Sequence, residues 1–278
     1  MKIHGYMSDG GKRFPEDALV LNPSKTGPYA VLDGYSSAYI GEPELSEGMT
    51  GGQRVVEILT ANMLFGGVDI NLTMRDIVAR SLRAIRKRQP EGDKDGASMA
   101  AFQIEQCRKS INMLQVGDCL LIYRLKNGNV VCSPNLFLHL DLQTESAYNE
   151  ELERTGGNIS CAQKNHNLVW TEIKRKFANN PEDSANGYPV IDGNPDVEKL
   201  WWNRIEGLEN IDLIIMMTDG ASPKMTQDNQ ERRQVAKSLI KVFNAQGIKG
   251  LINLTDSDEE QTAYGAIEKE ATILVAEF

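Results

Sequence analysis

The sequence predicts an α+β domain in which helices cover sheet from the outside. Three observations carry that expectation. Apolar, strand-like segments come in groups and do not alternate regularly with helices, as they would in a βαβ chain. Longer stretches with apolar residues at helical spacing separate those groups. No repeat, low-complexity tract or linker divides the 278 residues, so one domain over 1–278 is expected.

Taken in order, "KIHGYM", "DALVLN" and "YAVLDGY" are short candidate strands, the third broken by Asp33-Gly34. In "EGMTGGQRVVEILTANMLFGG", Val55, Ile58, Leu59 and Met63 recur at helical spacing. A second helix opens at Thr73, with Asp76 three residues on as a capping-box partner. Its apolar face is Ile77, Val78, Leu82 and Ile85, and Pro90 closes the segment. "SMAAFQIE", "SINMLQVG" and "CLLIYRLKNGNVVCSP" read as successive antiparallel strands, with "KNGN" as a hairpin turn. Between about 140 and 205 the periodicity weakens. There "FANNPEDSANGYPVIDGNPD" reads as surface loop, and the whole segment as a flap or docking surface. Trp201 and Trp202 are expected to pack in core. "DLIIMMTDGAS" is an uninterrupted apolar run ending on Asp219, the pattern of a buried strand. A helix follows through "QERRQVAKSLIKVFNAQG", with Gly247 as its C-cap. "GLINL" and "ATILVAEF" are two further apolar segments, the second a final strand.

Composition narrows the function classes. Hydrophobic residues make up 41% and charged residues 25%, the balance of an ordinary globular protein with a sizeable core. No apolar run approaches the ~20 residues of a membrane-spanning helix. The start, "MKIHGYMSDGGKRF", has no apolar signal-peptide core. Cys107, Cys119, Cys132 and Cys161 are scattered, without a Cys-x-x-Cys pair, so neither a zinc knuckle nor a disulfide framework is indicated. A reduced, cytoplasmic protein is expected. A net charge of −9 argues against a nucleic-acid binder. The basic run Arg80, Arg83, Arg86, Lys87 and Arg88 reads as a solvated helix face.

Acids gather at strand ends. Asp33 and Asp219 each end an apolar strand on Asp-Gly, Asp118 heads another, and Glu16 and Asp17 precede a fourth. Each alone suits a turn. Together, clustered carboxylates at one end of a core repel one another unless cations neutralise them. Oxygen donors with no convergent His or Cys suit the hard cations Mg²⁺ or Mn²⁺. His4, His139 and His166 lack metal-ligand spacing.

In order and spacing, "PEDA", "VLDG", "GASMAAF", "VGDCLLIYR" and "LIIMMTDGAS" resemble the motif series of the metal-dependent Ser/Thr phosphatases of the protein phosphatase 2C family. The resemblance implies a four-layer α-β-β-α sandwich, two antiparallel sheets flanked by helices, with a binuclear Mn²⁺ or Mg²⁺ site at one end. Carried across, Asp33 would bridge the two ions and the Gly34 carbonyl would bind one. Asp219 would hold the first ion; Glu16 would serve the second, with Asp17 beside it as ligand or water-holder. Asp118 matches the acid that helps hold a weaker third ion, and Lys12 or Arg13 falls where a basic residue binds the substrate phosphate. The implied reaction is hydrolysis of phospho-Ser or phospho-Thr in a protein substrate by a metal-activated water, opposite a Ser/Thr kinase counterpart.

Three departures mark the chain. "DGYSS" stands where the family has "DGHGG", and "GAS" replaces "GST". In "EKEATILVAEF", Lys269 aligns with the last metal-binding acid. A lysine there would repel cations. Glu268 or Glu270 could take over only through an irregular backbone, because a one-residue shift in a strand turns side chains to the other face. The alternative is a phosphatase-like module that has lost its metals and serves as a binding or regulatory partner. Other phosphotransfer classes are excluded or fit less well. No cysteine begins Cys-x₅-Arg, no P-loop occurs, and Asp256 and Asp258 in "LINLTDSDEEQ" are followed by Glu260 where an aspartate-nucleophile enzyme needs Thr or Val.

Overall fold

The computed structural model describes residues 1–11, 15–35, 49–66, 72–88, 95–183, 186–223, 229–256 and 270–278. The chain runs β1 (Lys2–Ser8), β2 (Asp17–Leu21), β3 (Tyr29–Tyr35), α1 (Gly51–Gly66), α2 (Met74–Arg88), β4 (Gly96–Glu105), β5 (Ser110–Val116), β6 (Leu120–Leu125) and β7 (Val130–Cys132). It continues through α3 (Leu138–Arg154), α4 (Ile159–Phe177), β8 (Trp202–Gly207), β9 (Ile211–Met217), α5 (Asn229–Gln246), α6 (Ile248–Asp256) and β10 (Ala271–Glu277).

These strands make two five-stranded sheets, ordered β1-β10-β9-β6-β7 and β2-β3-β4-β5-β8, with every strand pair antiparallel. Alternate side chains explain how two sheets become four layers. Val31, Phe102 and Met113 of one sheet meet Leu121, Ile214, Met216 and Leu274 of the other in a buried core between them. The opposite faces are apolar too and need cover. Leu32, Met99 and Val116 pack under Leu59, Ile77 and Ile85 of α1 and α2. Ile122, Ile215 and Ile273 pack under Leu239, Phe243 and Leu251 of α5 and α6. Strands covered on both faces read as continuous apolar runs, which is why β4, β5 and β9 stood out in the sequence.

Local signals are realised as the residues dictate. Thr73 and Asp76 close a capping box: the Thr73 N–H donates to Asp76 Oδ2 at 3.0 Å and the Asp76 N–H to Thr73 Oγ1 at 3.3 Å. The "KNGN" turn closes β6 and β7, with Gly128 at a positive φ of 87°. Gly247 ends α5 at φ 66°, its N–H donating to the Phe243 carbonyl at 2.7 Å.

The segment between β7 and β8 departs from the expectation. It holds two long helices, α3 and α4, packed on each other. Their apolar positions are few, because most of both surfaces faces solvent, so the helical period was diluted. Nor is 177–196 only surface loop. Tyr188, Val190 and Ile191 are fully buried, Tyr188 against Phe137 and Trp170, and Ile191 pairs with Ala97 at the start of β4. Asn179 makes that burial tolerable. Its side chain donates to the Val190 carbonyl and to Asp192 Oδ1, both at 2.7 Å, and accepts the Val190 N–H at 3.0 Å. "GLINL" lies within α6, where its apolar residues cover the sheet.

One turn sets up the site. Gly117 has φ 79°, and a Cβ there would lie 2.1 Å from Ser98 Oγ. Gly117→Ala is expected to destabilise the protein by about 1–3 kcal/mol, from left-handed strain plus the clash. Thermal unfolding would check this, and an unchanged Tm would refute it.

Candidate functional site

The sheet register collects the predicted acids. Asp17, first residue of β2, sits opposite Asp33 near the end of β3, and Asp33 sits opposite Ser98 on β4. The turn after β5 brings Asp118 to the same end, its N–H donating to Ser98 Oγ at 3.4 Å. From the facing sheet come Thr218 and Asp219 just past β9, and Glu270 just before β10. Asp17, Asp33, Asp118, Asp219 and Glu270 thus converge from both sheets. Lys12, Arg13, Glu268 and Lys269 lie outside the described residues.

The carboxyl groups feel one another. Burial, above all, pushes the Asp33 carboxyl well above the usual carboxylate range, and repulsion from Asp219, Asp17 and Asp118 pushes it further. Asp33 and Asp219 are close enough to share a hydrogen bond. Asp17 is raised to about 7, mainly by burial, with Glu270 and Asp219 adding repulsion and two threonine hydroxyls opposing it. The Cys119 thiol, buried behind the cluster, is pushed up by burial and by the same acids.

Five threonine and backbone contacts orient these groups. Thr218 Oγ1 and Thr272 Oγ1 both donate to Asp17 Oδ2, at 2.8 and 2.9 Å. The two threonines are locked together: Thr272 N–H donates to Thr218 Oγ1 at 2.9 Å, and Thr218 N–H to the Thr272 carbonyl at 3.0 Å. A hydroxyl pair from one sheet therefore fixes an acid on the other. Thr50, just before α1, donates its hydroxyl to Glu16 Oε1. Glu270 is 5% exposed, and its Oε2 accepts the N–H groups of Glu16 and Asp17, each at 2.6 Å. One oxygen of Glu270 is thereby committed to the main chain.

Thr50, Thr218 and Thr272 were not singled out in the sequence. The available signal was position: Thr218, just past β9, and Thr272, within β10, are fully buried polar residues in largely apolar runs, and such groups need partners.

The approach of backbone at Gly34 is close. A Cβ there would lie 2.9 Å from the carbonyl oxygens of both Glu16 and Gly52, so the Asp-Gly of β3 needs glycine for space. Beyond Gly34, Tyr35 stands where the resembling family has histidine. It is half-buried beside Tyr188, and loss of solvent around its hydroxyl, with Tyr188 and Asp192 nearby, pushes its phenol well up.

The donor set fits hard divalent cations. It is all oxygen and carries several negative charges whose mutual repulsion a cation would relieve. Among the described residues, no three His, Cys, Asp or Glu side chains already stand in ion-holding geometry. No helix of the described residues is long and apolar enough to cross a membrane.

No protein-family model matches the chain, and no curated protein matches it in sequence. Solved structures do match in fold. Serine/threonine phosphatase Stp1 from Staphylococcus aureus superposes with a TM-score of 0.54 at 14% identity, over 100% of this chain and 94% of that one. The PPM Ser-Thr phosphatase MsPP from Mycobacterium smegmatis, in complex with cacodylate, gives 0.54 at 12% identity, over 100% and 98%. The catalytic domain of the serine threonine protein phosphatase PstP, in complex with 2 manganese ions, gives 0.53 at 12% identity, over 99% and 97%. The chain shares their fold from end to end.

Proposed function

We propose that the protein hydrolyses phosphomonoesters with the help of Mn²⁺ or Mg²⁺, acting on phospho-Ser or phospho-Thr in proteins. The observation that carries this reading is Asp33: a half-buried acid at a strand end, next to a glycine that must be glycine, with Asp17, Asp118 and Asp219 close enough to repel it. A chain without catalytic use for such a cluster has little reason to keep it. The fold shared with PstP, solved with manganese, and with MsPP, solved with cacodylate, agrees with it.

Asp33 and Asp219 would hold one ion; Asp33, the Gly34 carbonyl and Glu16 would serve a second, and Asp118 a weaker third. Bound there, the ions would supply Lewis acidity toward water and the phosphoryl oxygens. The chain's own residues do the placing. Thr50 aims Glu16, and Glu270 pins the Glu16–Asp17 main chain. Thr218 and Thr272 hold Asp17 by Oδ2, which leaves Oδ1 to orient a water. Removing any of these supports misplaces a group that must stay within a few tenths of an ångström.

The direct test is hydrolysis of a phosphothreonine peptide with Mn²⁺, with Mg²⁺ and with EDTA. Turnover that appears with either metal and disappears on chelation is expected. Folded protein that turns over no peptide in either metal would refute the reading.

A further inference from the structure

The basic face of α2 has no part in holding metal or water. Arg75, Arg80, Arg83, Arg86, Lys87 and Arg88 are all exposed along it, in a chain whose net charge is −9. The acid that α2 itself carries, Asp76, is engaged at the first turn with Thr73. Near that same end, Arg75 pairs with Glu198 at 3.3 Å and lies over the Trp201 ring at 5.6 Å. At the other end the described residues show no comparable pairing. Among the described residues no ion pair is formed by Arg83, Arg86, Lys87 or Arg88. Basic residues do favour a helix C-terminus, but that effect is confined to the last turn and does not account for Arg83.

The position of this end matters more than its charge. The main chain of Arg86 lies against Gly193, where a Cβ would stand 3.0 Å from the Arg86 nitrogen. Two residues back, Ile191 exchanges main-chain hydrogen bonds with Ala97, at 3.1 and 3.0 Å. Ala97 is the register partner of Gly34, next to Asp33. The basic end of α2 is therefore linked to the acidic site through the 191–193 loop and the start of β4.

We propose that the end of α2, from Arg83 to Arg88, docks an acidic segment flanking the phosphorylated residue of a protein substrate. The proposal rests on the phosphatase reading and narrows its substrate class. A short acidic segment fits this surface better than an extended polyanion does. Such a polymer would also meet the negative remainder of the molecule, whereas a few carboxylates beside the phosphate meet only this helix end. Single exposed pairs contribute little. Four cations at one helix end act together, raise local substrate concentration, and lose their effect as salt screens them. The preference therefore belongs in KM.

The test uses the full chain with Mn²⁺, phosphothreonine peptides of equal length flanked by glutamates, by neutral residues or by lysines, and p-nitrophenyl phosphate, which has no flanking chain. At low salt, kcat/KM for the acidic peptide should exceed that for the neutral one by about tenfold, through KM, falling to about twofold near ~0.5 M salt. The lysine peptide should be the poorest. In Lys87→Glu/Arg88→Glu the acidic-over-neutral ratio should fall to about one or below, and in Lys87→Gln/Arg88→Gln it should lie between. Comparing peptides within one variant cancels any loss of folded protein. Equal rates on acidic and neutral peptides, with metal-dependent hydrolysis of p-nitrophenyl phosphate intact, would overturn the docking surface and spare the phosphatase reading. No turnover of any substrate would overturn both. Competition by single-stranded DNA or by anionic vesicles as strong as that by an unphosphorylated acidic peptide would also overturn it, marking a general polyanion surface.

Discussion

Asp33→Asn is expected to abolish turnover while leaving the metal-free protein at least as stable as the native one. Asparagine keeps the shape of the side chain and removes its charge. If Asp33 bridges the ions, the loss is several kcal/mol of charge stabilisation at the transition state, which is on the order of 10³-fold in rate. Stability should move the other way, and the sign follows from the direction of the pKa shifts. In the folded chain both Asp33 and Asp17 are raised above their unfolded values, Asp17 to about 7. A raised acid stabilises the fold while it is protonated, below its unfolded pKa of about 4. That stabilisation is lost as pH rises through the folded pKa. Metal-free native protein should therefore lose stability between about pH 4 and 7, and Asp33→Asn should lose less over that window. Mn²⁺ should raise the Tm of native protein, more at pH 8 than at pH 5, because protons compete for the same oxygens. It should scarcely raise that of Asp33→Asn. Thermal unfolding at several pH values, with Mn²⁺ and with EDTA, reads all of this. A variant that unfolds well below native protein in EDTA, or that still gains stability from Mn²⁺, would remove Asp33 from the centre of the site.

How far the sequence could be read depended on what each residue's neighbours were. Strands buried on both faces announced themselves, because Met99, Leu121 and Ile215 need no polar partner and leave uninterrupted apolar runs. Asp33 and Asp219 were legible for a related reason: an acid at the end of such a run has no place in a core unless something requires it. Helices α3 and α4 were not legible. Their buried contacts are a handful, such as Leu140, Ala162 and Ile173, spread over surfaces that mostly face water. Tyr188, Val190 and Ile191 were hidden by turn-forming neighbours; only the tertiary contacts with Phe137, Trp170 and Ala97 pull them inward. The hydroxyls of Thr218 and Thr272 could not be placed from sequence either. Their acceptor, Asp17, is 201 and 255 residues away, and periodicity carries no information across that separation. The same holds for the packing of Arg86 against Gly193, which is a property of the loop and not of the basic run itself.

Glu270 is where the two kinds of reading meet, and its substitution should separate them. The sequence offers it as a replacement ligand for the first ion, since Lys269 occupies the expected position. In the fold its Oε2 already accepts two main-chain N–H groups at 2.6 Å, at a site 5% exposed. Hydrogen bonds to a charged acceptor are worth more than neutral ones, and removing the acceptor leaves both donors buried without it. Glu270→Ala should therefore cost about 3 kcal/mol, lowering Tm by roughly 6–12 °C for a chain of this size. Glu270→Gln keeps a carbonyl oxygen where Oε2 stood and lessens the repulsion that raises Asp17, so its loss should stay under about 1 kcal/mol. A positioning role predicts that Glu270→Gln still gains stability from Mn²⁺ and turns over substrate. A ligand role predicts that Gln fails as badly as Ala in both assays, because a neutral amide is a poor exchange for a carboxylate on a hard cation. The arrangement of Glu16, Asp17 and Glu270 favours the first outcome. Equal failure of the two variants in Mn²⁺ binding would instead return Glu270 to the ion, with its second oxygen as the donor.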